Sequence, residues 1–237
     1  MMREEIRRDG LLADQFLGEN PNVPTFGLNL ACAWPFPEVW RAEYERLAGR
    51  LAALGPWLYV YPFACTHVTL VTFIGFSRHV RPAPELVKAL ESKPGEILAA
   101  LAPLFAENTA DRVRAFALQP QSPVLSRDAV ILPLLNPGDE VARLRQRTEE
   151  LLQGNEPLHR ELTARGLNVP GIIHSTVARF LRPPPNLKQF LAAFDEIAGE
   201  TKFAGIEVGE LLLTSETQPY MRGGEILRRF NLTTRSP

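Results

Sequence analysis

Two histidines in the chain are each followed, two positions later, by a threonine. The pairs are His67 with Thr69 in the segment THVTLV, and His174 with Thr176 in the segment IHSTVA. β-Branched and apolar residues surround both pairs, which predicts that each lies on a strand. Side chains two positions apart on a strand project from the same face, about 7 Å apart. Each pair would therefore present an imidazole and a hydroxyl at a spacing that suits two oxygens of one phosphate.

Two imidazoles on opposite sides of a phosphorus centre can act as a base and an acid, because imidazole titrates near neutral pH. Hydroxyls beside them can stabilise the charge that develops on the phosphate oxygens. This chemistry needs no metal ion. The two cysteines of the chain, Cys32 and Cys65, belong to no CxxC or Cys/His metal-ligand spacing. We therefore predict a site with no metal and no cofactor.

A single His-x-Thr triplet is weak evidence, since a strand histidine that makes ordinary hydrogen bonds gives the same pattern. Its recurrence in matching strand contexts favours the functional interpretation. If side chains alternate regularly, Val71 and Phe73 lie on the same strand face as His67, and Ala178 and Phe180 lie on the same face as His174. We expect these residues to line the cleft, with Phe73 and Phe180 binding substrate. The same alternation would turn Arg179 to the opposite face, as a structural partner.

Other candidates lie outside the two triplets. In the segment QPYMRGG, Tyr220 could stack on a base and Arg222 could pair with a phosphate; a plain exposed loop is the alternative. Cys65, two residues before the first histidine, could be a thiol nucleophile, although a small buried hydrophobe is favoured. We expect His79 and His159, in polar surroundings, to be solvated surface residues.

The predicted elements repeat once along the chain, and this predicts the fold class. In each half a helix packs on a small sheet whose inner strand carries His-x-Thr. We predict an α+β, two-lobed duplicated fold with antiparallel sheets facing a central cleft and helices on the outside. The first half has a strand at 25–34, a helix at 38–54, extended runs at 57–63 and 66–76, a loop with a short helical insertion at 77–95 and a helix at 95–106. The second half has strands at 112–119 and 124–135, a helix begun by Asn136-Pro137, a short helix at 157–165, a strand at 171–181, a helix begun by Asn186, and strands at 203–214 and 224–232.

Composition indicates an ordinary globular protein. The 237 residues are 45% hydrophobic and 22% charged. Lysine and arginine number 26 against 27 acidic residues, a net charge of −1, so a broad basic surface for long nucleic acid is not expected. We interpret residues 1–22 as an N-terminal extension that contributes little chemistry, and 23–237 as a single bilobal domain.

The chain carries no predicted targeting or membrane segment. No apolar run approaches the roughly 18 residues needed to span a bilayer, and no apolar stretch follows the charged N-terminus MMREEIRRDG. The low cysteine content suits a reducing compartment. We therefore expect a cytoplasmic monomer that has no membrane partner.

The segments HVTL at 67–70 and HSTV at 174–177 resemble the paired H-x-[ST]-hydrophobic signatures of the 2H phosphoesterase superfamily. Members of that superfamily include RNA 2′,3′-cyclic phosphodiesterases related to the bacterial RNA ligase-like proteins. The similarity extends from about Thr25 to Leu232. It implies that His67 and His174 form the acid/base pair, with either assignment of the roles open, and that the two threonines hold the phosphate oxygens.

The resemblance implies a metal-independent phosphoesterase that hydrolyses a 2′,3′-cyclic phosphate or a related phosphodiester. Its partner would be a small nucleotide or an RNA end. A second hypothesis is a non-catalytic module that binds nucleotides or RNA ends with the same cleft. The chain departs from the family near Gly224, where many relatives have an aromatic residue, and Tyr220 is shifted from that position by four residues. The loop at 77–95 and the N-terminal extension also have no obvious counterpart in the smallest relatives.

Overall fold

A computed structural model of the protein describes residues 2–17, 22–106 and 112–233. The turn-rich end of the predicted N-terminal extension, residues 18–21, lies outside the described residues, as do 107–111 and 234–237. Among the helices that are described, none has both the length and the apolar character needed to cross a membrane.

The first sheet has four antiparallel strands within the described residues. Its central strand β1 is buried along its whole length, which agrees with the apolar sequence GLNLAC. Two strands from the C-terminal end of the chain complete this sheet, so the lobe is not made from one half of the sequence alone. In spatial order the strands are β10 (Gly224–Asn231), β9 (Glu210–Glu216), β1 (Gly27–Cys32) and β3 (Val68–Ile74).

The second sheet is also antiparallel. It receives one strand, β2, from the first half of the chain, and this strand pairs with the second histidine strand, β7. In spatial order the strands are β2 (Leu58–Val60), β7 (Ile173–Phe180), β6 (Ala129–Leu135), β4 (Phe116–Pro120) and β8 (Ile206–Val208), and β5 (Val124–Leu125) pairs with β6. The predicted α+β class with antiparallel sheets is confirmed. The histidine strand β3, predicted to lie inside its sheet, is instead an outer strand.

Seven α-helices lie in the described parts of the chain, and two of them begin at an asparagine whose side chain caps the helix. Asn186 caps the last helix through its side-chain oxygen, which accepts the Gln189 N–H. Asn136 lies four residues before the helix that starts at Glu140, yet its side-chain oxygen accepts the Val141 N–H of that helix at 2.8 Å. The helices are α1 (Met2–Asp9), α2 (Arg41–Ala53), α3 (Pro84–Leu90), α4 (Lys93–Phe105), α5 (Glu140–Gln153), α6 (Glu156–Ala164) and α7 (Leu187–Glu200).

Both histidine strands carry a β-bulge at the same distance from the histidine. In β3 this extra residue is Leu70, which lies between Thr69 and Val71, two residues that pair with β1. A second extra residue in β3, Phe73, lies between the paired residues Thr72 and Ile74. In β7 the extra residue is Val177, at the equivalent point between residues that pair with β6. Leu70 and Val177 each come three positions after the histidine of their strand. A bulge shifts the alternation of side chains by one position.

The bulges decide which side chains reach the cleft. Beyond them, Thr72 and Arg179 take the side on which the histidines lie. Phe73 and Phe180 turn into the core, where both are 0% exposed. The expectation that these two phenylalanines line the cleft is therefore wrong, because it assumed an unbroken period of two along each strand.

Truncation of the two phenylalanines should show that they stabilise the fold. We expect Phe73→Ala and Phe180→Ala each to lower the free energy of unfolding by about 3–5 kcal/mol, because each leaves a cavity in a packed core. Denaturant unfolding measures this loss. Phe76→Ala, a partly exposed residue at the cleft, is the control and should lose clearly less. Equal losses for all three variants would contradict the placement.

Candidate active site

A cleft of about 340 Å³ lies where β3 and β7 meet, and it contains both histidine–threonine pairs. Each sheet contributes one pair. His67 comes directly before β3, after the one-turn 3₁₀ helix Phe63–Cys65, and His174 is the second residue of β7. The sequence segments are 107 positions apart, yet their side chains share one concave surface.

His67 is held by a backbone carbonyl. Its Nδ1 lies 2.8 Å from the carbonyl oxygen of Cys65, two residues earlier. Burial lowers the pKa of His67, the Cys65 carbonyl opposes this by raising it, and the charge of His174 lowers it further. The two imidazoles are therefore close enough to affect each other's protonation. Because a hydrogen on Nδ1 is accepted by the carbonyl, Nε2 of a neutral His67 is a proton acceptor.

His174 has the corresponding carbonyl, that of Ile172, also two residues earlier. Its Nδ1 is buried and forms no hydrogen bond of normal geometry with any described residue, although the Ile172 carbonyl is near enough to raise the pKa of His174. Burial lowers that pKa, and the guanidinium groups of Arg145 and Arg179 lower it further. Each histidine thus has a backbone carbonyl two residues before it, but only His67 forms a hydrogen bond of normal geometry with that carbonyl.

Arg179 faces the cleft, contrary to the expectation drawn from regular alternation. It is nevertheless ion-paired, because its Nη1 lies 2.5 Å from Asp128 Oδ2 and 3.2 Å from Asp14 Oδ2. The guanidinium carbon also lies 4.1 Å from the centroid of the Tyr220 ring. Asp14 belongs to the predicted N-terminal extension, so that segment contacts the residues of the cleft directly.

Comparisons with solved structures identify chains of similar architecture. TT0787 of Thermus thermophilus is 19% identical and superimposes with a TM-score of 0.57 over 89% of this chain and 100% of its own. ATU0111 of Agrobacterium tumefaciens, described as a conserved protein of unknown function, is 15% identical and gives a TM-score of 0.60 over 94% and 91%. The chain has the 2H phosphoesterase fold.

A third solved structure, E. coli LigT complexed with ATP, is 17% identical and covers 89% of this chain and 99% of its own, with a TM-score of 0.47. No protein-family model matches the sequence, and no curated protein is similar to it. The resemblance drawn from the two His-x-Thr segments is thus confirmed at the level of the fold.

Aromatic residues form one wall of the cleft. Tyr220 and Phe76 line it, with ring centroids 5.0 Å apart, and Phe16 packs on both rings. The Tyr220 hydroxyl donates a hydrogen bond to Asp14. Arg222 is not among the lining residues, and its guanidinium lies 5.5 Å from the centroid of the Tyr59 ring. The structure therefore places Tyr220 in the cleft but not Arg222.

Glu216, at the end of β9, is a cleft residue that sequence reasoning missed. Its carboxylate accepts the Met221 N–H at 2.8 Å and the Asn29 side-chain amide at 3.3 Å. Tyr220 and Met221 both have left-handed backbone angles, with φ of 63° and 60°, which is costly for residues other than glycine. The carboxylate therefore helps to hold the strained turn that presents Tyr220. No motif marked Glu216, because its role depends on a turn distant from the histidines.

Two further residues, Tyr61 and Cys65, line the cleft, and the other two histidines lie outside it. The buried hydroxyl of Tyr61 forms no hydrogen bond of normal geometry with a described residue, although Arg179 is near enough to oppose the rise in its pKa that burial causes. Nothing in the sequence signalled Tyr61. Cys65 also lines the cleft, and burial raises the pKa of its thiol, which disfavours a thiolate nucleophile. His79 is 8% exposed, so the expectation of a solvated residue is wrong there. His159 is partly exposed on α6.

Glu216 should make stability depend on pH in a defined direction. It is 4% exposed, and burial raises its pKa from 4.5 to about 7, against the hydrogen bonds from Met221 and Asn29. A raised folded-state pKa favours the protonated form, so this contribution to stability is present below pH 4.5 and is lost as pH rises towards 7. Its size is at most about 3 kcal/mol.

The variant Glu216→Gln tests this contribution. We expect the free energy of unfolding of the native protein, minus that of the variant, to fall between pH 4.5 and 7. The difference between the two proteins is the useful quantity, because the histidines titrate in the same range with the opposite sign. Unfolding followed at a series of pH values measures it, with Glu207→Gln on the exposed side of β8 as the control. A flat difference would contradict the assignment.

Proposed function

We propose that the protein is a phosphodiesterase that hydrolyses a 2′,3′-cyclic phosphate, or a related phosphodiester, at an RNA end or in a small nucleotide. The observation that carries the proposal is the meeting of His67 and His174 in one cleft, near enough for each charge to influence the other ring. The accompanying threonines lie in the same cleft, at matching positions ahead of matching bulges. The 2H fold is consistent with it.

The arrangement supports hydrolysis by acid/base catalysis. One imidazole takes a proton from the attacking water, and the other gives a proton to the leaving ribose oxygen. Thr69 and Thr176 donate hydrogen bonds to the phosphate oxygens as negative charge develops on them. In this mechanism the reacting phosphate sits between β3 and β7, with the two sheets acting from opposite sides.

The dimensions and walls of the cleft support a small substrate. A volume of about 340 Å³ is at the lower end of the range for ligand pockets and suits a nucleotide better than a folded nucleic acid. Phe76 and Tyr220 provide aromatic surface against which a base can pack. The nearly balanced charge of the chain, −1, agrees with local engagement of an RNA end rather than a long backbone.

Removal of either imidazole should abolish turnover. We expect His67→Ala and His174→Ala each to lower kcat/KM for 2′,3′-cyclic mononucleotides by about 100-fold or more, because each variant lacks one proton-transfer group. Chromatographic separation of the product nucleotides measures this. His159→Ala, remote on α6, is the matched control and should keep full activity. The assays are run with and without a chelator, and we expect no effect of the chelator.

Two outcomes would overturn the proposal. Full activity in either cleft histidine variant would remove the two-histidine mechanism. Binding of cyclic nucleotides by the native protein without any hydrolysis would favour the second hypothesis, a module that binds nucleotides or RNA ends. In that case the histidine variants would change affinity and nothing else.

The threonines can be tested with nearly isosteric replacements. Thr69→Val and Thr176→Val keep the shape of the strand and remove the hydroxyl, so we expect kcat to fall by about a hundredfold with a smaller change in KM. Steady-state kinetics on the same nucleotides measure this. Thr163→Val, whose hydroxyl bonds the His159 carbonyl on α6, is the control. A loss confined to KM would show that the hydroxyls serve binding alone.

A further inference from the structure

Arg145 on α5 is a buried arginine placed between the two histidine strands. It is 8% exposed. Its Nε donates to the carbonyl of Leu70, the extra residue of the β3 bulge, at 2.9 Å. Its Nη2 donates to the carbonyl of Ile172, just before β7, at 3.2 Å. One guanidinium thus connects the backbone near His67 with the backbone near His174.

The partners of Arg145 are unusual for a buried cation. Within the described parts of the chain, no carboxylate forms an ion pair with it. Burial of a charge without a counter-charge is costly, and burial accordingly lowers the pKa of Arg145. Apolar residues of similar volume could fill the same space at a lower cost. An uncompensated cation beside a catalytic pair therefore points to a role in the chemistry.

The two histidines differ in the hydrogen bonding of their Nδ1 atoms. The carbonyl behind His67, that of Cys65, accepts from Nδ1 at 2.8 Å. The carbonyl behind His174, that of Ile172, accepts a hydrogen bond from Arg145. It is near enough to raise the pKa of His174, but Nδ1 of His174 forms no hydrogen bond of normal geometry with a described residue. A carbonyl acceptor behind Nδ1 makes Nε2 a stronger base. A nearby cation, as Arg145 is for His174, makes the imidazolium a stronger acid.

We propose that Arg145 is a positioning residue that occupies the Ile172 carbonyl and so makes His67 the proton acceptor and His174 the proton donor of the pair. The assignment of roles rests on the proposed phosphodiesterase function. The difference in hydrogen bonding between the two rings does not rest on that function, because it exists in the protein without substrate.

The hydrolytic step then has a defined direction. A water O–H gives its proton to Nε2 of His67 while the water oxygen bonds to phosphorus. The bond from phosphorus to one ribose oxygen breaks, and that oxygen takes the proton from Nε2 of His174. The proton gained by His67 balances the proton lost by His174, and exchange with solvent restores both rings.

The charged and titratable groups around His174 come from several elements. Arg145 approaches from α5 and Arg179 from β7 itself, and both lower the pKa of His174. Asp14 and Asp128 neutralise Arg179, whereas Arg145 has no such carboxylate among the described residues. The remaining groups that line the cleft are His67, Cys65, Tyr61, Glu216 and Tyr220.

The experiment observes the imidazole nitrogens by NMR in the full-length protein labelled with ¹⁵N, across a pH titration and without substrate. In the native protein we expect neutral His67 to carry its hydrogen on Nδ1 and neutral His174 to carry it on Nε2. Arg145→Met removes the charge and the hydrogen bonds, and should shift the titration midpoint of His174 upward. Arg145→Lys retains the charge and should restore a midpoint close to the native one. Arg143→Gln, an exposed neighbour on α5, is the control.

The pH dependence of kcat/KM supplies a second readout. In Arg145→Met the alkaline limb, which reports the acid, should move upward, while the acidic limb set by His67 stays in place. A native His174 with its hydrogen on Nδ1, an unchanged His174 midpoint in Arg145→Met, or a joint movement of both limbs would overturn the proposal. If Arg145→Met does not fold, the native tautomers and Arg145→Lys decide the question.

The two proposals fail in different ways. If no cyclic nucleotide is hydrolysed, the proposed function fails, but the NMR result still reports whether Arg145 separates the two rings. If His67→Ala and His174→Ala abolish turnover and both rings of the native protein show the same tautomer, the function stands and the role of Arg145 does not.

Discussion

The cleft depends on the β-bulge that each histidine strand carries three residues after its histidine. Before the bulge, the strand aims the imidazole and the threonine hydroxyl into the gap between the sheets. After it, the pattern shifts by one, so Thr72 and Arg179 join them. An unbroken strand would put apolar side chains at those points. The bulges therefore extend the polar lining of each strand while the phenylalanines beyond them fill the core.

The two lobes are bound together by exchange of strands rather than by a simple face-to-face contact. β2 leaves the first half to pair with β7, and β9 and β10 return from the C-terminal end to complete the sheet of β1 and β3. β7 is consequently paired with a strand from the first half, whereas β3 pairs with β1 and meets the second half through the Thr72–Asn168 bridge. Arg145 adds a direct connection, since one side chain bonds the backbone near both histidines. This construction limits relative movement of two imidazoles that must act on one phosphate.

Much of this arrangement could be predicted from local sequence patterns. Period-two strands, helix caps and the repeated His-x-Thr segments led to the correct fold class and to four residues that share the cleft. The positions of Phe73, Phe180 and Arg179 could not be predicted, because a bulge arises from the pairing of a strand with its neighbour and leaves no reliable local signature. Glu216 and Tyr61 were missed for a related reason: they reach the cleft through contacts made only in the folded chain.

The electrostatics of the cleft depend on which of the two arginines near His174 is paired with carboxylates. Arg179 carries a positive charge that Asp14 and Asp128 balance, so its effect on a bound phosphate would be reduced until those contacts change. Arg145 has no such balance among the described residues; it donates to the Ile172 carbonyl, and its charge lowers the pKa of His174. A pseudo-symmetric fold would by itself give two equivalent histidines. An uncompensated cation on one side removes that equivalence, and acid/base catalysis in one direction requires that the two rings differ.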